Sequence, residues 1–238
     1  MTHTAIILAA GRGQRLDPGG NREDYSKPLI DVGGKTLLER TIENCRRAKM
    51  RTIYIVTGFR ADLIDQEVAR LNQGDLRTVF NKQWTLSNGV SAYICREYVQ
   101  TSFLLMMSDH VIDGALVERL ARQEPAPGTV MLAVDKRVEA IFDIDDATKV
   151  VIENETIVAI DKSLATYNAI DCGLFHCTPA AFRALGEVYE RKGDCSLSDG
   201  MRVLAEEGRF LPFDIGDAFW QDVDTPEMMG EVLRHLGA

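Results

Sequence analysis

The residues best suited to chemistry stand near the start of the chain, where an apolar run ends in two glycines. Residues 5–10 are almost entirely apolar, which predicts a strand buried on both faces. Gly11 and Gly13 lack Cβ atoms, so the backbone N–H groups of the loop can approach an anion closely. Arg15 and Lys27 add positive charge nearby. A strand, a glycine loop and cations in this order indicate a site for the phosphates of a nucleoside triphosphate.

The glycine spacing excludes two common nucleotide motifs. A dinucleotide-binding fingerprint needs a third glycine where this chain has Leu16, and the Gly-Lys-Ser/Thr of a P-loop is absent. The glycine pair by itself therefore also fits a tight turn with no ligand.

Three aspartates form the second candidate group. Asp109 follows the apolar run of residues 102–107, and a carboxylate at the C-terminal end of a buried parallel strand lies where open α/β sheets bind ligands. Asp222 and Asp224 alternate along a later strand and so point to one side. Mg²⁺ prefers such oxygen ligands, so we expect it to be held by Asp109 together with Asp222 or Asp224. The alternative for Asp109 is the cap of a following helix. His110 has no assigned role, since Mg²⁺ does not favour imidazole.

The elements that must position these groups alternate between strand and helix. Apolar periodicity predicts helices over residues 36–48 and 61–71 and strands over residues 52–57 and 77–81. This alternation predicts an α/β domain with a mostly parallel central sheet. We expect one domain over residues 1–238.

An irregular, acidic segment interrupts that rhythm. Residues 150–160 predict a β-hairpin, and we interpret residues 136–168 as a small substrate-facing lid inserted into the domain. Lys149 and Lys162 are its candidates for binding the phosphate of a second substrate. Plain surface lysines are the alternative.

Composition limits the classes of function. The chain has 238 residues, 45% of them hydrophobic, and a net charge of −9, which argues against nucleic acid as a partner. No apolar run is long enough to span a bilayer and no leader pattern is present, so we predict a cytoplasmic protein that is not itself membrane-spanning. The five cysteines lack Cys-x-x-Cys spacing and predict buried, reduced thiols.

Residues 8–16 together with Lys27-Pro28-Leu29 resemble the signature of the nucleotidyltransferase superfamily. The resemblance implies a single Rossmann-like three-layer domain. Four further stretches, residues 146–150, 167–175, 196–200 and 220–227, narrow it to the CTP:inositol-1-phosphate cytidylyltransferases. One departure is Cys172, where a threonine is expected. In many relatives the domain is fused to a membrane transferase, and we expect no such extension in this chain.

The resemblance also implies roles for individual residues. The triphosphate loop comprises Leu8, Ala9, Ala10, Gly11 and Gly13. By the same resemblance Arg15 contacts the leaving pyrophosphate and Lys27 contacts phosphate. The resemblance also favours Asp224, directly before Thr225-Pro226, over Asp222 as the second metal ligand. Nucleobase recognition falls to Asn88, Gly89 and Ser91, and substrate binding to Asp171.

The resulting hypothesis is transfer of CMP from CTP to an alcohol phosphate, with inositol 1-phosphate as the favoured acceptor and Mg²⁺ as cofactor. The acceptor alternatives are phosphocholine, another alcohol phosphate or a phosphonate. A choline cage would draw on Trp84, Tyr93, Phe219 and Trp220. A non-catalytic nucleotide-binding regulatory module is the alternative of a different class. The expected partners are the two small-molecule substrates, and the sequence leaves open whether the protein forms a homodimer.

Overall fold

A central sheet of nine strands carries the fold in the computed structural model, which describes residues 2–13 and 25–237. The strands are β1 (Thr4–Leu8), β2 (Thr52–Thr57), β3 (Leu76–Phe80), β4 (Phe103–Met107), β5 (His110–Ile112), β6 (Val130–Asp135), β7 (Lys149–Glu153), β8 (Thr156–Asp161), β9 (Ala169–Cys177), β10 (Phe210–Asp214) and β11 (Trp220–Asp222). The helices are α1 (Leu37–Arg47), α2 (Ala61–Leu71), α3 (Asn88–Tyr93), α4 (Gly114–Ala121), α5 (Ala180–Lys192), α6 (Leu197–Glu206) and α7 (Pro226–Leu236).

The strand order of the main sheet is β10-β6-β9-β4-β1-β2-β3. Every neighbouring pair is parallel except the two that involve β9, which runs antiparallel to both β4 and β6. The carboxyl ends of β1, β4 and β6 therefore meet at one edge of the sheet. The prediction of an α/β domain with a mostly parallel sheet is confirmed.

Helices cover both faces of this sheet, which makes three layers. One apolar core holds side chains of α3, α5 and α6, and the other holds side chains of α1, α2 and α4. Residues 5–8 of β1 are buried because these cores lie on either side of it. All five cysteines are free and buried in these cores, as predicted.

Local sequence sets the start of several helices. The Thr36 side chain accepts a hydrogen bond from the Glu39 N–H at the start of α1, and Ser196 and Asp199 form a capping box on α6. Thr225 caps α7 and Pro226 occupies its first turn, where a missing N–H costs nothing. These caps match the sequence pattern.

The predicted hairpin forms between β7 and β8, and Asn154 and Glu155 make its turn with positive φ angles of 47° and 64°. The hairpin joins the main sheet because β7 pairs with β9. Residues 136–168, called the 136–168 segment below, connect β6 to β9. The two ends of the segment lie next to each other, because Asp135 pairs with Ile170. In residues 2–13 and 25–237, no helix has the length and apolar character needed to cross a membrane.

Candidate active site

A cavity of about 700 Å³ opens at the carboxyl edge of the sheet. Its walls come from the strand ends, the 136–168 segment and the two-stranded antiparallel sheet of β5 and β11. The residues that matter most for the chemistry are Asp109, Asp135, Asp171, Trp220, Asp222 and Asp224. The edge that the sequence predicts to bind ligands therefore does carry a concave site.

Lys27 joins two of the predicted carboxylates. Its Nζ donates to Asp109 Oδ2 at 2.5 Å and also to Asp224 Oδ1. The Lys27 side chain is only 6% exposed, against 30% for Asp109 and 11% for Asp224. These residues are far apart in sequence, and the fold brings all three to one point, as the sequence hypothesis requires.

Charge pairing explains how these groups stay ionised. Burial favours the neutral amine of Lys27, but the charges of Asp109 and Asp224 outweigh it and raise its pKa. Burial likewise favours protonated Asp109, but the charge of Lys27 and a hydrogen bond from His110 hold its pKa far below the ordinary value. The site therefore contains a permanent cation between two carboxylates.

Two neighbours complete this cluster. The His110 ring lies against Asp109, with Nδ1 at 2.9 Å from Oδ1. Burial lowers the pKa of His110, but hydrogen bonding and attraction to Asp109 raise it above the ordinary value. Asp222 is half-buried, and its partial burial together with the charges of Asp224 and Asp109 raises its pKa. Asp109 follows β4 and precedes strand β5, so the alternative that it caps a helix is wrong, and Asp113 takes the N-cap position of α4.

The glycine loop packs directly on Lys27. Gly13 has φ of +61°, and a Cβ there would lie 2.6 Å from the Lys27 side chain. The Tyr25 hydroxyl donates to the Gly13 carbonyl at 2.5 Å. Gly11, by contrast, has no atom of residues 2–13 or 25–237 within 4 Å of the position of an added Cβ. Arg15 lies outside the described residues.

The start of the loop is tied to the neighbouring strand. Ala9 N–H donates to the Val56 carbonyl, and Phe59 N–H donates to the Ala10 carbonyl. Leu8 is the last residue of β1 and is buried with the two alanines. The loop therefore leaves the sheet from a rigid base.

The residues predicted to contact a nucleobase lie at the start of α3 and make protein contacts of their own. Asn88 Oδ1 accepts a hydrogen bond from the Leu197 N–H, and Asn88 also lines the cavity. A Cβ on Gly89 would lie 2.5 Å from the Cys195 carbonyl oxygen, so glycine is needed for close packing. Ser91 Oγ accepts from the buried Asn81 amide, which the sequence argument did not single out. The signal for Asn81 was its place at the carboxyl end of β3.

The residues predicted to bind the second substrate separate into two groups. Lys149 is buried, and its Nζ donates to the carbonyls of Asp145, Ala147 and Lys162, so it stabilises the 136–168 segment rather than facing the cavity. Lys162 lines the cavity and pairs with Asp146 at 2.7 Å. Asp171 also lines it and accepts from the Gly173 N–H at 2.7 Å. Burial raises the pKa of Asp171 to about 6.

The donor set limits how a metal ion is held. Within residues 2–13 and 25–237, no group of three or more His, Cys, Asp or Glu side chains is arranged as a metal site. Asp109 and Asp224 contact the same ammonium nitrogen, so their carboxylates lie within a few ångströms of each other. Mg²⁺ is commonly held by one or two carboxylates with substrate phosphates and water completing its shell. The residues present fit that kind of site.

One further group at the cavity was missed by the sequence argument. Asp135 ends β6 and accepts hydrogen bonds from both Arg137 and the indole N–H of Trp220. Asp135 has the same sequence feature that identified Asp109, a carboxylate at the end of a buried strand. It was overlooked because an irregular, acidic segment follows it directly in the sequence.

Comparisons with known proteins agree with this geometry. The chain is 35% identical over 228 residues to the "Bifunctional IPC transferase and DIPP synthase" of Rubrobacter xylanophilus, covering 94% of this chain and 49% of that protein. It is 28% identical over 236 residues to the protein of the same name from Aquifex aeolicus, covering 99% of this chain and 52% of that one. The chain thus spans about half the length of these curated relatives.

A solved structure shows the same fold over nearly the whole length. It is the inositol-1-phosphate CTP transferase from T. maritima, with a TM-score of 0.80, 26% sequence identity and coverage of 97% of this chain and 96% of that one.

A family profile described as "MobA-like NTP transferase domain" matches residues 5–204. That span includes Gly13, Lys27 and Asp109; Lys27 packs on Gly13 and contacts Asp109, which lines the cavity. The chain belongs to the MobA-like NTP transferase domain family and is an NTP-dependent transferase.

Proposed function

We propose that this chain transfers CMP from CTP to an alcohol phosphate, with inositol 1-phosphate as the acceptor, and releases pyrophosphate and CDP-inositol. The observation that carries the proposal is the meeting of Lys27, Asp109 and Asp224 beside the glycine loop at one end of the cavity. The names of the relatives from Rubrobacter xylanophilus and T. maritima support cytidine as the base and inositol phosphate as the acceptor.

The reaction is an in-line displacement at phosphorus. A phosphate oxygen of the acceptor attacks the α-phosphorus of CTP and forms a new P–O bond. The bond from the α-phosphorus to the oxygen bridging to the β-phosphorus breaks, and pyrophosphate leaves with that electron pair. The attacking oxygen is already anionic at neutral pH, so no general base is needed. Catalysis then consists of positioning the two anions and neutralising their charge.

Each part of the site has a task in this scheme. The loop of Gly11 and Gly13 binds the β- and γ-phosphates through backbone N–H groups, and Arg15 contacts the leaving group. Lys27 contacts phosphate and reduces the repulsion between the two substrates. Asp109 and Asp224 would hold Mg²⁺, which when bound would neutralise charge on the α-phosphate of the transferred CMP group.

The aromatic residues of the chain bear on the choice of acceptor. A quaternary ammonium needs several aromatic faces around it. Trp84 packs on Phe59 and Tyr93 packs on Tyr189, and neither Trp84 nor Tyr93 is among the cavity-lining residues. Phe219 does line the cavity, but its ring is stacked on His235 at 3.7 Å. Only Trp220 of the four cage candidates is left for this role, which favours inositol 1-phosphate over phosphocholine.

The test is pyrophosphate release by the purified chain with Mg²⁺. Each of the four nucleoside triphosphates is supplied with either inositol 1-phosphate or phosphocholine. We expect release with CTP and inositol 1-phosphate alone, and its loss in Asp109→Asn or on chelation of Mg²⁺. The matched control is Asp143→Asn, which removes one carboxylate from the same cavity.

Other outcomes would change the proposal in defined ways. Release with CTP and phosphocholine would overturn the acceptor and keep the chemistry. Release with a different nucleotide would overturn the base. No release with any pair would overturn the proposed function and favour a nucleotide-binding regulatory module.

A further inference from the structure

Asp135, Arg137 and Trp220 form a hydrogen-bonded unit on the cavity wall. Arg137 grips Asp135 with Nε at 3.0 Å from Oδ1 and Nη2 at 2.8 Å from Oδ2. The indole Nε1–H of Trp220 donates to the same Oδ2 at 2.9 Å. Arg137 also donates to the Ala218 carbonyl at 2.9 Å, which ties the unit to the approach to β11.

Asp135 is placed to support its neighbours rather than to meet a ligand. The residue is 2% exposed, and both carboxylate oxygens already accept hydrogen bonds. Burial would raise the pKa of Asp135, but the hydrogen bonds from Arg137 and Trp220 lower it below the ordinary value. A buried carboxylate that stays ionised needs such partners, and it fixes their orientation in return.

Trp220 connects this unit to the reacting end of the cavity. Its ring stacks on His110 with an interplanar angle of 19° and a centroid distance of 6.2 Å, and His110 binds Asp109. His110 is itself confined, because a Cβ on Gly173 would lie 2.6 Å from its ring. The indole is therefore held from two sides, by a hydrogen bond at its edge and by a ring against its plane.

The charges around this wall indicate what lies against it. Among the described residues, ten carboxylates line the cavity, and the lining lysine and arginine residues are Lys162 and Arg137, both paired with aspartates. Ionised carboxylates only accept hydrogen bonds, so they match a ligand rich in hydroxyl donors. A partly exposed indole offers an apolar surface of fixed orientation. A cyclic polyol presents both, hydroxyl groups at its rim and C–H groups on its faces.

We propose that Trp220 is the surface on which the ring of a cyclic polyol phosphate acceptor rests, and that Asp135 is the positioning residue that holds this indole in place. This inference rests on the proposed function, and it names the residues that determine which acceptor the site binds. Arg137 acts through Asp135, and its guanidinium keeps the carboxylate in the orientation that Trp220 needs.

Kinetics with two substrates test this assignment. Trp220→Leu removes the ring and Asp135→Ala removes the hydrogen-bond acceptor. We expect each to raise the KM for inositol 1-phosphate about tenfold, as the loss of an aromatic contact and its support predicts. The KM for CTP should stay within about twofold, because neither Trp220 nor Asp135 is among the residues assigned to CTP. Asp135→Asn keeps an oxygen for the indole N–H, so its effect should be smaller than that of Asp135→Ala.

The matched control is Asp217→Asn, an exposed carboxylate of the same cavity. It removes the same charge as Asp135→Asn and leaves the indole bond intact. If Trp220→Leu and Asp135→Ala change the acceptor KM no more than Asp217→Asn does, the assignment is wrong. An equal rise in the KM for CTP would also overturn it.

A second measurement does not depend on turnover. The chain has two tryptophans, so Trp84→Phe leaves Trp220 as the sole indole reporter. We expect inositol 1-phosphate to change its fluorescence in the Trp84→Phe background, and Asp135→Ala to abolish that response. If the chain releases no pyrophosphate with any pair of substrates, the proposed function fails while this titration still decides the inference. A fluorescence response would support the polyol surface, and no response would overturn it.

Discussion

Replacing Lys27 with methionine tests the central cluster most directly. Methionine keeps the apolar stem that packs on Gly13 and removes the ammonium group. Asp109 and Asp224 are then left close together without their shared cation. The change therefore isolates the charge of Lys27 from its packing.

The magnitude follows from burial. Removing one partner of a buried ion pair costs about 3–5 kcal/mol. The Asp109 side chain is 30% exposed and keeps part of its hydration, so we take the lower end, about 3 kcal/mol of unfolding free energy. For a domain of this size that corresponds to a fall in Tm of about 6–12 °C. Turnover should be lost as well, because Lys27 contacts phosphate in the proposed reaction.

The assay is urea denaturation and thermal melting of the Lys27→Met variant beside Lys162→Met. Lys162 pairs with Asp146 in the same cavity, but its side chain is 57% exposed. Exposed pairs contribute about 0–1 kcal/mol, so the control should lose little stability. Mg²⁺ should raise the Tm of Lys27→Met more than that of the wild type, because a cation then occupies the vacated carboxylate pair.

The reasoning would be refuted if both variants lost the same small amount of stability. A Lys27→Met variant that was destabilised as expected, yet gained no more from Mg²⁺ than the wild type, would count against the two carboxylates as metal ligands.

Three further predictions concern the loop, the cavity wall and the base. Gly13→Ala should reduce turnover at least about tenfold and lower the Tm, because the added Cβ would clash with Lys27 and the residue has a positive φ. The control Gly11→Ala should have the Tm of the wild type. Equal Tm values for the two variants would contradict this. Burial raises the native pKa of Asp171 to about 6, so its ionisation disfavours the folded state and the unfolding free energy of the wild type should fall as the pH rises from 4 to 6. Asp171→Asn should remove this part of the fall. Urea melts at pH 5 and pH 8 that show the same difference between variant and wild type would exclude it. Asn81→Ala should raise the KM for CTP more than the KM for the acceptor, since Asn81 holds Ser91 beside the predicted base site; steady-state kinetics with either substrate varied decide between them.

Patterns along the chain predicted the fold because they report burial directly. The apolar run before Asp109 and the periodicity of residues 36–48 and 61–71 each matched an observed strand or helix. Asp109 was proposed as a ligand from the same information, since the end of a buried parallel strand marks the ligand-binding edge. Asp224 was proposed from its alternation with Asp222 and from the family resemblance, and it lies two residues beyond the end of β11.

Contacts between residues far apart in the sequence could not be predicted from sequence patterns. The sequence placed Lys27 near phosphate, but its contacts with Asp109 and Asp224 depend on how the strands are ordered in the sheet. Nothing in the sequence distinguished Lys149 from Lys162. The packing of the 136–168 segment shows that Lys149 is buried, whereas Lys162 lines the cavity. The predicted roles of Arg15, Mg²⁺, a homodimer and a cytoplasmic location stay predictions.

The 136–168 segment begins and ends at adjacent positions of one antiparallel strand pair, because Asp135 and Ile170 face each other across β6 and β9. A loop whose two ends are already neighbours can change in length or sequence without altering the order of the strands. Its closure entropy also grows only slowly with length. This segment can therefore change while the glycine loop, Lys27 and Asp109 stay in place. Under the proposed function, a graft of this segment between relatives should alter acceptor use only when Asp135 and Trp220, which lie outside it, are exchanged with it.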